Sequence, residues 1–151
     1  MAIEIYSPLK GKVIPLSEVK DEVFSQKMMG EGIAFIPEEN FLHAPADGRI
    51  DSLIDSCHAV GFHTDSGADV LIHIGQDTVT LNGKYFKAKV KEGDIVKQGD
   101  ILIEFDRQKI ESEGYNITTP MVIANTDEYS SVLPVDMDNA ECGDLAILIE
   151  K

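Results

Sequence analysis

Short apolar runs, each cut off by glycine, proline or an Asx residue, divide this chain into many brief segments. Ile3 to Tyr6 alternates and enters a turn at Ser7-Pro8-Leu9-Lys10-Gly11, followed by a strand through Lys12-Val13-Ile14. Residues 17 to 29 place Val19, Val23, Phe24 and Met28 at short helical intervals. They predict one or two helical turns with an apolar face, closed by Gly30 and Gly32. Ile33 to Ile36 reads as a strand stopped by Pro37. Phe41 to Ala46 leads into a hairpin signal at Asp47-Gly48, then Arg49 to Leu53. A turn at Asp65-Ser66-Gly67 feeds the apolar run Val70 to Ile72, which ends in His73. Gly75 and Asp77 follow, and alternation resumes over Thr78-Val79-Thr80-Leu81. Beyond a turn at Asn82-Gly83 come strands at 86–90 and 101–105, with turns at Lys91-Glu-Gly-Asp94 and Lys97-Gln-Gly-Asp100 around a short strand. A polar stretch at 106–116 is compatible with a helical turn, and the last clear strands lie at 121–124 and 145–149.

The pattern predicts an all-β protein, an antiparallel sandwich or barrel with only short helical turns. Weak internal repetition adds a detail. Ser7 to Leu16 and Ala44 to Leu53 share the form x-Pro-x-x-Gly-basic-β-branched-x-x-Leu, and Gly99 to Glu104 resembles Gly143 to Glu150. Neither copy reaches a solenoid period, so the expectation is a duplicated β-motif within one domain, 1–151.

Composition narrows the function classes. The chain has 151 residues and is 43% hydrophobic, enough for a core, with 13 basic against 27 acidic residues for a net charge of −14. That charge argues against binding nucleic acid or an anionic membrane surface and suits partners with basic patches. No apolar run approaches a membrane span and no signal peptide is evident, so a cytoplasmic protein without direct membrane insertion is expected. Cys57 and Cys142 have no metal-ligand spacing and read as thiols of a reducing compartment.

Candidate chemistry rests on two histidines. An imidazole is the side chain most readily used as nucleophile or proton carrier near neutral pH. His73 by itself reads as a satisfied core residue. His58 shares parity with Val60 and Phe62, which sets it apart from Cys57 and argues against a Cys57–His58 dyad. A hairpin at Asp65-Ser66-Gly67 brings His58 and His73 to nearly matching depth on paired strands, so the imidazoles sit side by side.

The stretch Cys57-His-Ala-Val-Gly-Phe-His-Thr-Asp-Ser-Gly-Ala-Asp-Val-Leu-Ile-His-Ile-Gly-Gln-Asp-Thr-Val-Thr-Leu81 closely resembles the signature of the enzyme IIA component, glucose family, of the bacterial phosphoenolpyruvate-dependent sugar phosphotransferase system. Asp21 to Ala34, His43-Ala-Pro-Ala-Asp-Gly48, Glu92 to Asp100 and Thr119 to Asn125 extend the likeness over nearly the whole chain. The resemblance implies a phosphoryl carrier and the family's duplicated hybrid β-motif. His73 matches the phosphorylated histidine, and His58 the second histidine, which hydrogen-bonds the phosphoryl group. Ser56 stands where the family usually has threonine, keeping the hydroxyl that orients His58. Gly75 matches the residue whose carbonyl accepts from the phosphorylated ring. Val23, Phe24, Met28, Met29, Ile54, Leu71 and Val79 match an apolar collar, with Asp21 and Asp77 as flanking acids. His63 stands where an acid is expected. The chain starts almost at its first strand, without the amphipathic extension of the enteric branch. The implied partners are the histidine-containing phosphocarrier protein and the IIB domain of a sugar transporter.

The chemistry is coherent on general grounds. Phosphoryl transfer puts charge on three equatorial oxygens, so the acceptor needs an in-line lone pair and donors for that charge. A neutral His73 offers Nε2 when a carbonyl holds Nδ1–H; His58 offers an N–H; an apolar collar excludes water. No Walker-type loop is present, so ATP is not expected as a substrate. No cofactor is required. Zinc is conceivable at His58 and His73 only if a partner carboxylate completes the site, because no third ligand is evident. A zinc peptidase of similar fold would need a His-x-His pair where this chain has His73-Ile74-Gly75. A biotinyl or lipoyl carrier would need a lysine at a hairpin tip that the segment from Val90 to Leu102 does not supply.

Overall fold

The computed structural model describes residues 2–53 and 56–151. Its strands, in chain order, are β1 (Ala2–Tyr6), β2 (Gly11–Pro15), β3 (Glu31–Pro37), β4 (Phe41–His43), β5 (Gly48–Leu53), β6 (Ala59–Thr64), β7 (Asp69–His73), β8 (Phe86–Ala88), β9 (Ile95–Val96), β10 (Ile101–Phe105), β11 (Thr119–Ile123), β12 (Ser131–Pro134), β13 (Asn139–Ala140) and β14 (Leu145–Glu150). Among the described residues, helical structure is limited to α1 (Glu22–Ser25), α2 (Arg107–Ser112) and 3-10 turns at Leu16–Glu18, Thr78–Leu81 and Thr126–Glu128. The strands form one eight-stranded sheet, ordered β13-β2-β3-β11-β7-β6-β5-β9, and two three-stranded sheets, β1-β14-β12 and β4-β10-β8. Every pairing is antiparallel. This is the all-β sandwich expected from the pattern.

The duplication is visible in the topology. Strands β4 to β10 repeat the arrangement of β1, β2, β3, β11, β12, β13 and β14, so one copy of the motif is inserted into the other after β3. Corresponding backbone bonds agree. Ser7 N–H reaches Asp144 O and Gly143 N–H returns to Ser7 O, while Ala44 N–H reaches Asp100 O and Gly99 N–H returns to Ala44 O. Tyr6 N–H donates to Pro45 O and His43 N–H to Pro8 O, so the two copies are stitched to each other at their Pro-containing loops. The two Gly-Asp turns before β10 and β9 and their counterpart at Glu141–Asp144 are each closed by an aspartate accepting from the backbone N–H three residues earlier. Gly93, Gly99 and Gly143 take the left-handed φ these turns require, 89°, 93° and 95°.

Two expectations need correction. Asp47-Gly48 is not a hairpin tip, because β4 pairs with β10 while β5 pairs with β6 and β9; the segment is a corner that carries the chain from one sheet to another. Thr78 to Leu81 alternates in sequence but forms a 3-10 turn between two left-handed residues, Asp77 (φ 60°) and Asn82 (φ 53°). Alternating polarity over four residues does not separate a strand from a turn that buries Thr78 and Leu81.

Alternation does hold on β6 and β7. Val60, Phe62, Val70 and Ile72 are buried in the main core, and Ala59, Gly61, His63, Asp69, Leu71 and His73 occupy the other face. Over that outer face lies the segment from Leu16 to Phe24. Its Leu16, Val19 and Phe24 pack with Ala34 and Val122 of the sheet into a second, smaller cluster, against which Ile14 and Leu71 rest. His73 ends β7, one of the two central strands, beside this cluster. No described helix is long and apolar enough to cross a membrane.

Candidate active site

The hairpin β6–β7 pairs Ala59 with His73. Strict alternation would then turn His58 to the opposite face from His73. It does not, because β6 starts at Ala59 and the residues before it bend: Cys57 takes a left-handed φ of 58° and His58 lies outside the strand. The chain closes there through Ile74 N–H donating to His58 O at 2.6 Å. The two imidazoles meet edge to face, with centroids 4.8 Å apart at 78°.

Each ring has a partner at Nδ1. His73 Nδ1–H donates to the Gly75 carbonyl at 2.6 Å, since a carbonyl can only accept, and this leaves the lone pair on Nε2. His58 Nδ1 lies 2.7 Å from Ser56 Oγ, the hydroxyl expected to orient it. Gly75 takes φ 77°, and a side chain there would collide with Thr78 Cγ2 at 2.6 Å, so the turn that aims its carbonyl suits glycine.

Both rings are held neutral. Burial lowers the His58 pKa to about 4, with the neighbouring His73 adding to the effect. Burial also lowers the His73 pKa, opposed by the Gly75 hydrogen bond and by the charges of Asp21 and Asp77. A neutral imidazole with a free Nε2 is a nucleophile for phosphorus near neutral pH.

The predicted collar separates into layers. Val23, Met28, Met29 and Val79 are exposed, Met28 most of all at 69%. Leu71 is half-buried. Phe24, expected in the collar, is only 4% exposed and lies beneath it, its ring 5.5 Å from that of His73. Ile54 lies outside the described residues. Asp21 caps α1 by accepting from Val23 N–H at 3.0 Å, which sets the helical turn carrying Val23 and Phe24 beside His73.

Other supports were not singled out in the sequence. The Thr78 hydroxyl donates to Ile74 O at 2.5 Å, Gln76 N–H to Asn116 O at 2.8 Å, and the Gln76 side-chain amide to Thr118 O at 2.9 Å. Thr78 belongs to the same short motif as His73 and could have been found there. Asn116 and Thr118 arrive only through the fold. His63 forms a cross-strand pair with Asp69, Nδ1 to Oδ1 at 2.5 Å. Asp51, His63 and Asp69 bring potential ligand atoms within 4.8 Å of one another, and the Arg49 guanidinium donates from Nε and Nη2 to Asp51 Oδ1. Cys57 and Cys142 form no disulfide.

A duplicated β-sandwich that holds two neutral imidazoles side by side at the end of a central strand, one with its Nδ1–H on a carbonyl, suits a domain that carries a group on histidine. Comparison with known proteins makes the class specific. Residues 3–129 match the family described as phosphoenolpyruvate-dependent sugar phosphotransferase system, EIIA 1. The β-glucoside-specific EIIBCA component of Dickeya chrysanthemi is 49% identical over 131 residues, covering 87% of this chain and 21% of that protein. The glucose-specific EIIA component of Oceanobacillus iheyensis is 42% identical over 146 residues, covering 97% of this chain and 88% of that one. Among solved structures, glucose permease IIA from Mycoplasma capricolum superposes with a TM-score of 0.92 at 33% identity, covering 98% of this chain and 96% of that one. The chain belongs to the EIIA 1 family of the sugar phosphotransferase system, phosphotransferase components that work through a phosphohistidine intermediate. It spans about a fifth of the length of the β-glucoside-specific relatives it matches.

Proposed function

We propose that this chain is a cytoplasmic phosphoryl carrier. His73 Nε2 accepts a phosphoryl group from the phosphohistidine of the histidine-containing phosphocarrier protein and passes it to a cysteine of a transporter's IIB domain during sugar uptake. The observation that carries this reading is the Gly75 carbonyl on His73 Nδ1, which leaves Nε2 as a free lone pair beside a second neutral imidazole. On acceptance, an N–P bond forms at His73 Nε2 as the donor's N–P bond breaks, and the donor imidazole recovers its own lone pair. On donation, the cysteine thiolate forms an S–P bond as the His73 N–P bond breaks, and the bonding pair returns to Nε2. With Ser56 Oγ–H donating to His58 Nδ1, His58 carries its proton on Nε2 and offers it to the phosphoryl oxygens. The fused relatives named EIIBCA combine a IIA part with IIB and IIC parts, which supports a IIB acceptor. Relatives named for β-glucosides, glucose and glucosamine are 42–49% identical to this chain, as suits a domain that hands on phosphate and leaves the sugar to others.

The chemistry needs no cofactor. A zinc ion on His58 and His73 would have two nitrogens from this chain and take a further ligand from a partner carboxylate.

Incubation with phosphoenolpyruvate, enzyme I and the phosphocarrier should add one phosphoryl mass to the protein. His73→Gln should abolish that gain, and labelling that survives the change overturns the assignment. His58→Gln should still be labelled but deliver poorly to a IIB domain, because donor bonds to the phosphoryl oxygens matter most as charge redistributes during transfer. Delivery at the wild-type rate would make His58 merely structural.

A further inference from the structure

The turn that aims the Gly75 carbonyl combines two left-handed residues, Gly75 (φ 77°) and Asp77 (φ 60°). Ile74 N–H is fastened to His58 O and Gln76 N–H to Asn116 O. Those bonds tie the turn to its neighbours. Among the described residues, the bond that closes it across its own mouth is the one from the Thr78 hydroxyl to the Ile74 carbonyl, 2.5 Å. Thr78 is fully buried. Its methyl occupies the space a Gly75 side chain would need, with Cγ2 2.6 Å from an ideal Cβ there. One side chain therefore grips the peptide entering Gly75 and braces the Gly75 α-carbon.

We propose that Thr78 is a positioning residue: its hydroxyl holds the Gly75 carbonyl on His73 Nδ1 and thereby sets the tautomer of His73. The kinetic consequence rests on the carrier function proposed above; the tautomer does not. Without the hydroxyl, the Ile74 carbonyl is left buried and unpaired, and the turn relaxes to find another donor. Once the Gly75 carbonyl swings away, Nδ1–H loses its acceptor and the proton can move to Nε2. The lone pair that would attack phosphorus is then gone from Nε2.

Two substitutions separate the hydroxyl from the methyl. Thr78→Val keeps the shape and loses the O–H; Thr78→Ser keeps the O–H and loses the methyl. The His73 ring nitrogens are read by ¹⁵N NMR at a pH where the ring is neutral. Wild type and Thr78→Ser should show the proton on Nδ1, whereas Thr78→Val should show a mixture of tautomers. Phosphoryl acceptance by Thr78→Val should fall on the order of tenfold, the effect of about one hydrogen bond, and Thr78→Ser should stay near wild type. Thr78→Ala takes the place of Thr78→Val if the valine variant does not fold. A wild-type tautomer in the variant that lacks the hydroxyl, or a lost tautomer in Thr78→Ser, overturns the proposal. If no variant or wild type takes up phosphate at His73, the carrier function fails, and the NMR comparison still decides the role of Thr78.

Discussion

At the scale of single residues, the site is a matter of protons. His58 ionises at about 4 in the fold, against an ordinary 6.5, because its ring is buried and next to His73. Between those values the unfolded chain binds a proton that the folded protein refuses, so the stability that depends on a neutral His58 is intact above 6.5 and is lost as pH falls towards 4. The urea midpoint of wild type should drop through this window, and that of His58→Gln should drop less. Identical pH profiles for the two proteins would show that His58 does not carry the effect. His73 is also shifted below 6.5, so phosphoryl acceptance should persist through neutral pH and decline only in the acid range as the lone pair is protonated. Stopped-flow labelling against pH checks this; a rate that already falls between pH 8 and 7 contradicts it. The identities of these residues could be read from the sequence, since the spacing His-x14-His and the nearby serine and glycine were visible there. Their protonation could not, because burial is a property of everything packed around the rings.

At the scale of elements, α1 is a single turn whose position matters more than its length. A helix of four residues has almost no stability of its own, so its cap and its one buried side chain hold it in place. Asp21 does two jobs, capping the turn and placing a negative charge near His73. Asp21→Asn should keep the cap and leave stability nearly unchanged, while Asp21→Ala should cost about 0.5–2 kcal/mol. Phe24→Ala should cost about 3 kcal/mol, because the ring lies in the satellite cluster beneath the collar. It should also weaken both of the partner interactions proposed above by letting the collar settle. Urea denaturation and phosphotransfer assays on the three variants check these outcomes; stable Phe24→Ala with normal transfer contradicts them. The helical intervals of residues 17–29 indicated this turn. That Phe24 lies under the collar, and that Thr78 to Leu81 is a 3-10 turn, depended on which face of each short segment the sheet covers.

At the scale of the whole molecule, the relay proposed above has two partners using one surface in turn, because both have to reach His73. Such exchange favours a small contact with fast release, with apolar area from Val23, Met28, Met29 and Val79 and steering from Asp21 and Asp77. The net charge of −14 extends that steering field. The double variant Asp21→Asn with Asp77→Asn should slow association with both partners and flatten its dependence on salt. Stopped-flow phosphotransfer at low and high ionic strength measures the slope, and an unchanged slope means that these acids do not steer. Composition, turn punctuation and the repeated Pro-Gly and Gly-Asp segments were enough to determine an all-β chain with a duplicated motif, because turn chemistry and strand alternation are local. The insertion of one motif copy into the other, the corner at Asp47-Gly48, the bend that turns His58 towards His73, and the arrival of Asn116 beside the Gly75 turn were decided only by the tertiary structure. Each of them joins residues far apart in the chain, or departs from strand alternation, to satisfy backbone groups and bury apolar faces that only the assembled sheets present.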